Sequence, residues 1–301
     1  MTLPRPSRRS LLIALATPAL EGLLRPLAAG AVAAAAQRRI ISAGGAVTEV
    51  LYALGREAEI VGVDSTSQHP AEALRTKANV GYLRALGAEG VLSLKPNLVI
   101  ATDGAGPPDV LRIIESAGVT LVRVPDEPTP DGVLRRIAVV AQAVEADATA
   151  LAGSVAAGFE RLAADRDRVT TRKRVLFILS LQNGRALVGG RGTTADGMIA
   201  LAGADNAAAL AGVEGWKPLS DEGVVRAAPE VVLMMDRSGP ASALDPFALP
   251  AFASTPAGRS RTLVAMNGLY LLGFGPRTPQ AARDLLAALY PESGVAGGTG
   301  R

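Results

Sequence analysis

Glu89-Gly90-Val91-Leu92-Ser93-Leu94-Lys95-Pro96-Asn97-Leu98-Val99-Ile100 carries the pattern on which the fold turns. A glutamate opens a short apolar stretch, a proline follows seven residues later, and a β-branched run begins at once. The charge suits a helix N-terminus, the helix must stop before the proline, and the run beyond it has the composition of a buried strand. The same order returns in the second half of the chain. Glu222-Gly223-Val224-Val225 leads to Pro229-Glu230-Val231-Val232-Leu233, again with seven residues from Glu to Pro.

Outward from these two segments, short β-branched runs alternate with amphipathic stretches. The pattern predicts strands at Arg39–Ala43, Ile60–Asp64, Leu98–Thr102 and Leu121–Pro125, then at Arg174–Leu181, Val231–Met235 and Thr262–Met266. Helices are expected at Val47–Leu54, Val110–Ala117, Gly132–Val144, Thr194–Ala202 and Gln280–Leu289. Such alternation implies parallel sheets covered by helices. From Asp147 to Val169 there is neither a proline nor a strand signal. Leu151, Val155, Phe159 and Leu162 recur there at helical spacing, with Glu160, Arg161, Asp165 and Arg166 charged, so one long helix is expected. The fold class is therefore α/β: two Rossmann-like lobes joined by one long spanning helix, with a cleft between them of the kind that takes small ligands. The expected boundaries are an export signal over 1–36, an N-terminal lobe over 37–146, the linking helix over 147–170, a C-terminal lobe over 171–292 and a disordered tail over 293–301.

Composition narrows the chemistry. The 301 residues include no Cys and a single His, which excludes disulfides and thiolate metal sites and leaves almost no room for a histidine cage or a Ser-His-Asp triad. The net charge of +3 resides in the first 36 residues, where Arg5, Arg8, Arg9 and Arg25 face only Glu21. Setting those aside from the 31 basic and 28 acidic side chains leaves 27 of each, and a neutral body argues against nucleic acid as partner. The leader runs from Ser7-Arg8-Arg9-Ser10 through an apolar stretch to Ala34-Ala35-Ala36. This is the order of an export signal, and its paired arginines resemble the twin-arginine type. Cleavage is expected after Ala36. An uncleaved anchor is the alternative, which Pro18, Glu21, Arg25 and Pro26 interrupt.

Several segments taken in order are similar to one family. They are Asp64-Ser65-Thr66-Ser67-Gln68-His69-Pro70, Val80-Gly81-Tyr82-Leu83-Arg84-Ala85-Leu86, Gly190-Arg191-Gly192-Thr193-Thr194-Ala195-Asp196, Met235-Asp236-Arg237 and Gly273-Phe274-Gly275-Pro276-Arg277-Thr278-Pro279. From Arg39 to Pro291 the chain resembles the periplasmic haem-binding proteins of bacterial ABC uptake systems, part of a helix-spanned class that also binds cobalamin and siderophores.

The resemblance implies haem as transported ligand and places its iron ligand at Tyr82, as a phenolate on the first lobe. A free phenol has a pKa of about 10, so the ionised form needs nearby positive charge. Iron supplies much of it. Arg84, two residues on in what is expected to be an extended loop, is on the same side and able to donate a hydrogen bond. The other reading of Tyr82 is a loop tyrosine capped by a backbone partner. His69, before Pro70, either shapes the pocket wall or ligates iron. Some relatives add a second-lobe histidine, but the corresponding stretch here is near Gln182-Asn183, so one haem held through Tyr82 alone is expected. For the propionates, Arg237 after the strand Val231–Met235 is the first choice and Arg191 the second, although a turn between glycines explains Arg191 equally well. Glu89 and Glu222 fall where the class docks on its membrane permease, and a helix-opening charge is compatible with that role.

The function expected is capture of haem in the periplasm and delivery to an ABC permease with its ATPase, by a monomer that makes and breaks no covalent bond. The alternative is a cobalamin or ferric-siderophore binder of the same fold. A haem-dependent or hydrolytic enzyme would need an acid–base group that the chain does not evidently supply.

Overall fold

The computed structural model describes residues 37–182, 184–236, 245–295 and 297. The leader, Asn183, Arg237 and, of the expected tail, residues 296 and 298–301 lie outside the described residues. The described residues from Arg38 onward form one compact unit.

The first lobe runs β1 (Ile40–Ala43), α1 (Gly45–Ala53), β2 (Ile60–Val63), α2 (Glu72–Thr76), β3 (Ala78–Asn79), α3 (Ala88–Ser93), β4 (Leu98–Thr102), α4 (Pro108–Ser116), β5 (Thr120–Val124) and α5 (Pro130–Ala143). Its five strands lie in the order β3-β2-β1-β4-β5, all parallel. The spanning helix α6 (Thr149–Arg166) leads to the second lobe: β6 (Arg174–Gln182), β7 (Arg185–Gly189), α7 (Thr194–Leu201), β8 (Asp205–Asn206), α8 (Ala207–Leu210), β9 (Trp216–Leu219), α9 (Asp221–Ala227) and β10 (Val231–Asp236). It closes with α10 (Pro250–Ala253), α11 (Pro256–Ser260), β11 (Leu263–Asn267), α12 (Gly268–Leu272) and α13 (Thr278–Leu289). The second sheet has the order β11-β10-β6-β7-β9, with β8 added alongside β6.

The two halves of the sequence echo are one local structure made twice. Glu89 and Glu222 both stand at the second position of their helices, α3 and α9. Both helices are followed by a left-handed residue, Lys95 (φ 49°) and Ala228 (φ 42°), set just before the proline. The chain then enters β4 and β10, each next to the middle strand of its sheet.

Strands buried on both faces are expected where helices cover a parallel sheet, and the burial is distributed accordingly. Ile40, Val63 and Ile100 face one side of the first sheet, while Ile41, Val99 and Ala101 face the other. The cluster holding Ile40 and Ile100 also holds Val155 and Leu162 of α6, and Val175, Phe177, Val231 and Leu233 of the second sheet. One apolar core therefore runs from lobe to lobe through the spanning helix. Past residue 292, Val295 is buried in the same core.

One sequence expectation needs correction. The second sheet is not wholly parallel, because β7 returns antiparallel to β6 and β9 pairs antiparallel with β7. The signal was present in Asn183-Gly184, the hairpin dipeptide, with Gly184 at φ 74°. Asp165 of α6 is buried, and it accepts a 2.6 Å hydrogen bond from Arg283 Nε on α13.

Helix α5 begins on a designed stop for its free amides: Thr129, in extended conformation, accepts from Gly132 N at 3.0 Å with Pro130 in the first turn. Thr129→Ala is expected to lower stability by about 1 kcal/mol, read as a shift of the urea midpoint at unchanged slope.

Candidate functional site

The loops that leave the carboxyl ends of parallel strands form the rim where open α/β sheets take ligands. In the first lobe this rim is organised by Asp64, which follows β2 and is wholly buried. Its Oδ1 accepts from Gly44 N at 2.8 Å and Ser67 Oγ at 3.0 Å, and its Oδ2 from Thr66 N at 2.9 Å and Thr66 Oγ1 at 2.7 Å. Ser67 and Thr48 share a hydroxyl contact of 2.7 Å, as do Thr48 and Ser42. A buried carboxylate is tolerable only when its lone pairs are so filled. The network locks the segment 64–67, which leads to His69, onto the ends of β1 and α1.

The neighbouring loop, 80–87, presents Tyr82. Val80 and Leu86 are buried and anchor it at both ends. Between them the chain folds into a turn closed by Ala85 N donating to Tyr82 O at 2.7 Å. The segment is thus not the extended one expected, and residue alternation does not orient Arg84 with respect to Tyr82. Ser65 N donates to Gly81 O at 2.8 Å, Leu86 N to Gly106 O at 2.8 Å and Gly106 N to Leu83 O at 2.9 Å, so the turn is clasped from two sides. Tyr82 is 48% exposed, and Arg84 is exposed beside it in sequence.

His69 is exposed on the same rim. Its pKa is lowered, first by partial desolvation and then by the positive charge of Arg277, against a smaller opposing effect of Glu49. The imidazole therefore favours its neutral form.

Arg277 belongs to a group that sequence reasoning did not single out. It comes from the second lobe and pairs with Glu49 of α1 in the first, Nη2 to Oε1 at 2.7 Å and Nε to Oε2 at 3.1 Å. Its guanidinium lies 4.9 Å from the centre of the Tyr270 ring. Tyr270 donates to Asp284 Oδ2 at 2.9 Å, and burial, then that carboxylate, push its pKa upward. Gly275 passes so close that a Cβ there would stand 3.1 Å from Glu49 Oε2. Nearby, Arg136 of α5 is almost wholly buried and donates to Pro125 O at 3.1 Å and Asp126 Oδ1 at 2.7 Å in its own lobe. The same guanidinium reaches Gly273 O at 3.1 Å and Phe274 O in the other. Segment 273–277 is thereby pinned to the first lobe by two arginines. The only advance signal was the quoted run Gly273–Pro279, whose glycines permit this close approach.

In the second lobe the carboxyl ends of β6 and β10 fall at Gln182 and Asp236. Arg237 follows Asp236 in the chain. Arg191 is at the other end of this sheet: β7 runs back from Arg185, opposite Gln182, to Val188, opposite Ile178, and Arg191 lies further on, bridged to Glu214. The structure does not bring Arg191 to the strand ends that Arg237 follows. Glu89 and Glu222 are exposed on α3 and α9. The pKa of Glu222 is lowered, by its own backbone amide and then by the Ser220 hydroxyl.

Two cavities lie away from this rim, one of about 280 Å³ lined by Arg174, Leu210 and Arg226, the other of about 170 Å³ between α6 and α13. Neither includes the Tyr82 turn. Among the described residues no cluster of three or more His, Asp or Glu could hold a bare metal ion, and no helix is long and apolar enough to cross a membrane.

Residues 40–268 match the model of the family described as periplasmic binding protein. The chain is similar to the periplasmic heme-binding protein RhuT from Roseiflexus sp. RS-1, solved in apo form, with 41% identity over 85% of this chain and 99% of that one and a TM-score of 0.78. It is similar also to the periplasmic heme-binding protein BhuT in complex with two hemes, at 38% identity over 85% of this chain and 99% of that one, TM-score 0.74. Among sequence relatives, the uncharacterized ABC transporter substrate-binding lipoprotein YvrC of Bacillus subtilis (strain 168) is 24% identical over 261 residues, 85% of this chain and 81% of that protein.

Proposed function

The chain belongs to the periplasmic binding protein family, and on that premise we propose that it binds ferric haem in its inter-lobe cleft, outside the cytoplasm, and delivers it to an ABC permease with its ATPase. The observation that carries this reading is Tyr82: a half-exposed phenol, held on a clasped turn at the strand ends of the first lobe. A chain without cysteine has few other strong ligands for ferric iron, and its one histidine, His69, forms part of the same wall.

In this reading Tyr82 bonds the iron as phenolate and Arg84 donates a hydrogen bond to it. Arg237, following β10, pairs with a propionate as a bidentate donor. Arg191 is the weaker choice, since its end of β7 faces away from the strand ends. Glu89 and Glu222 meet basic residues of the permease, supported by their matched, exposed positions at the starts of α3 and α9. The shared core and the two arginine clasps limit hinge bending, so release follows from a modest displacement of the lobes, not from a wide opening. The protein acts as a monomer, and no bond is made or broken.

The test is an absorbance titration of the mature chain, freed of haem, with ferric haem. Saturation at one equivalent with a phenolate-to-iron charge-transfer band is expected, undisturbed by cobalamin or a ferric siderophore. An end point at two equivalents overturns the single-haem arrangement and keeps the ligand. Absence of a saturable spectrum, with cobalamin or siderophore bound instead, overturns haem itself.

A further inference from the structure

Tyr82 has too little packed around it for packing to set its direction, since nearly half its surface is open. Its aim must come from the backbone beneath it. Four main-chain hydrogen bonds tie the loop to its neighbours: Val80 N to Val63 O, Ser65 N to Gly81 O, Gly106 N to Leu83 O and Leu86 N to Gly106 O. One further tether comes from a side chain. Asn79 Oδ1 accepts from Gly81 N at 2.8 Å, closing a small turn one residue before Tyr82.

That turn sits at a point of conformational choice. Gly81 adopts φ 94°, a region that glycine enters without cost but in which it is equally free to leave. Crowding does not enforce it, because a Cβ built there would approach only Ala85 O, at 3.7 Å. Asn79 itself is fixed to the sheet as the last residue of β3, in register with Val63 of β2. Its amide oxygen thus carries the position of the sheet to the positive-φ glycine next to Tyr82.

We infer that Asn79 is a positioning residue that holds Tyr82 aimed into the cleft. The inference rests on the reading of Tyr82 as the iron ligand. Pre-organising a ligand acts mainly on how fast the bound molecule leaves.

The experiment measures haem dissociation by transfer to excess apomyoglobin, together with the charge-transfer band, in Asn79→Ala, Asn79→Asp and Tyr82→Ala. Loss of one tether is expected to speed dissociation in Asn79→Ala about two- to twelvefold, the range a single hydrogen bond spans, and to shift the band. Because Asn79 is exposed, its melting temperature should stay within about 2 °C of the parent, which a merely structural role would not spare. Asn79→Asp keeps the acceptor oxygen and should return dissociation to the parent rate. A parent rate and band in Asn79→Ala, or an Asn79→Asp variant as fast as Asn79→Ala, overturns the positioning role while Tyr82→Ala still loses the band. A parent band in Tyr82→Ala overturns the ligand assignment and the positioning role with it.

Discussion

If Tyr82 bonds the iron as proposed, Tyr82→Ala should lose the charge-transfer band and bind ferric haem at least about 100-fold more weakly, because removing a direct iron ligand costs no less than the upper end of what removing a ligand's supporting group costs. The protein itself should be nearly indifferent, as a residue 48% exposed contributes little to the core and surface changes stay within about 0.5 kcal/mol. Tyr82→Phe separates two contributions. It keeps the ring that can stack on the porphyrin and removes only the oxygen. Spectra of Phe and Ala variants that agree with each other and differ from the parent assign the bond to the phenol oxygen. A Phe variant with the parent spectrum would remove Tyr82 from the iron and send the search to His69.

The second large effect concerns stability. Arg136→Ala should destabilise the protein by about 3–5 kcal/mol, the cost of removing one partner from a buried polar set. The pair with Asp126 is not by itself a strong stabiliser, since burying a guanidinium costs much of what its hydrogen bonds return. The asymmetry decides the outcome. Deleting the cation leaves the carbonyls of Pro125, Gly273 and Phe274, and Asp126 Oδ1, without the donor that now serves all four. A fall in melting temperature of roughly 10 °C or more is expected by calorimetry. Arg136→Lys, with one compact ammonium in place of a planar fork, should recover only part of it. A loss below about 1 kcal/mol in Arg136→Ala would show that segment 273–277 is held to the first lobe by packing alone.

How much of this was legible in the sequence depends on the range of the interactions concerned. The echo at Glu89 and Glu222 could be read because every force in it is local: a charge at a helix start, a proline that stops the helix, β-branched residues that follow. The strand Leu98–Thr102 and the face of α6 carrying Val155 and Leu162 were readable for the same reason. The antiparallel return of β7 was also local in origin, but Asn183-Gly184 is a two-residue signal inside a chain whose larger pattern says parallel. Tyr82 was different again. Spacing and composition only shortened the candidates, and the family resemblance singled it out.

The amino-acid sequence by itself determined the two α/β lobes, the helix between them, and a ligand inventory limited to one histidine, four tyrosines and five methionines. Those follow from periodicity and composition, which act over a turn of helix or a strand. Tertiary structure alone decided that Asp165 and Arg136 are buried, that Arg277 crosses to Glu49, and that Arg191 lies at the far end of its sheet. The buried charges and the crossing of Arg277 depend on partners far apart in the chain, Glu49 and Arg277 or Asp165 and Arg283 among them. A charged side chain is buried or solvated according to whether such a partner arrives, and only the folded chain brings it.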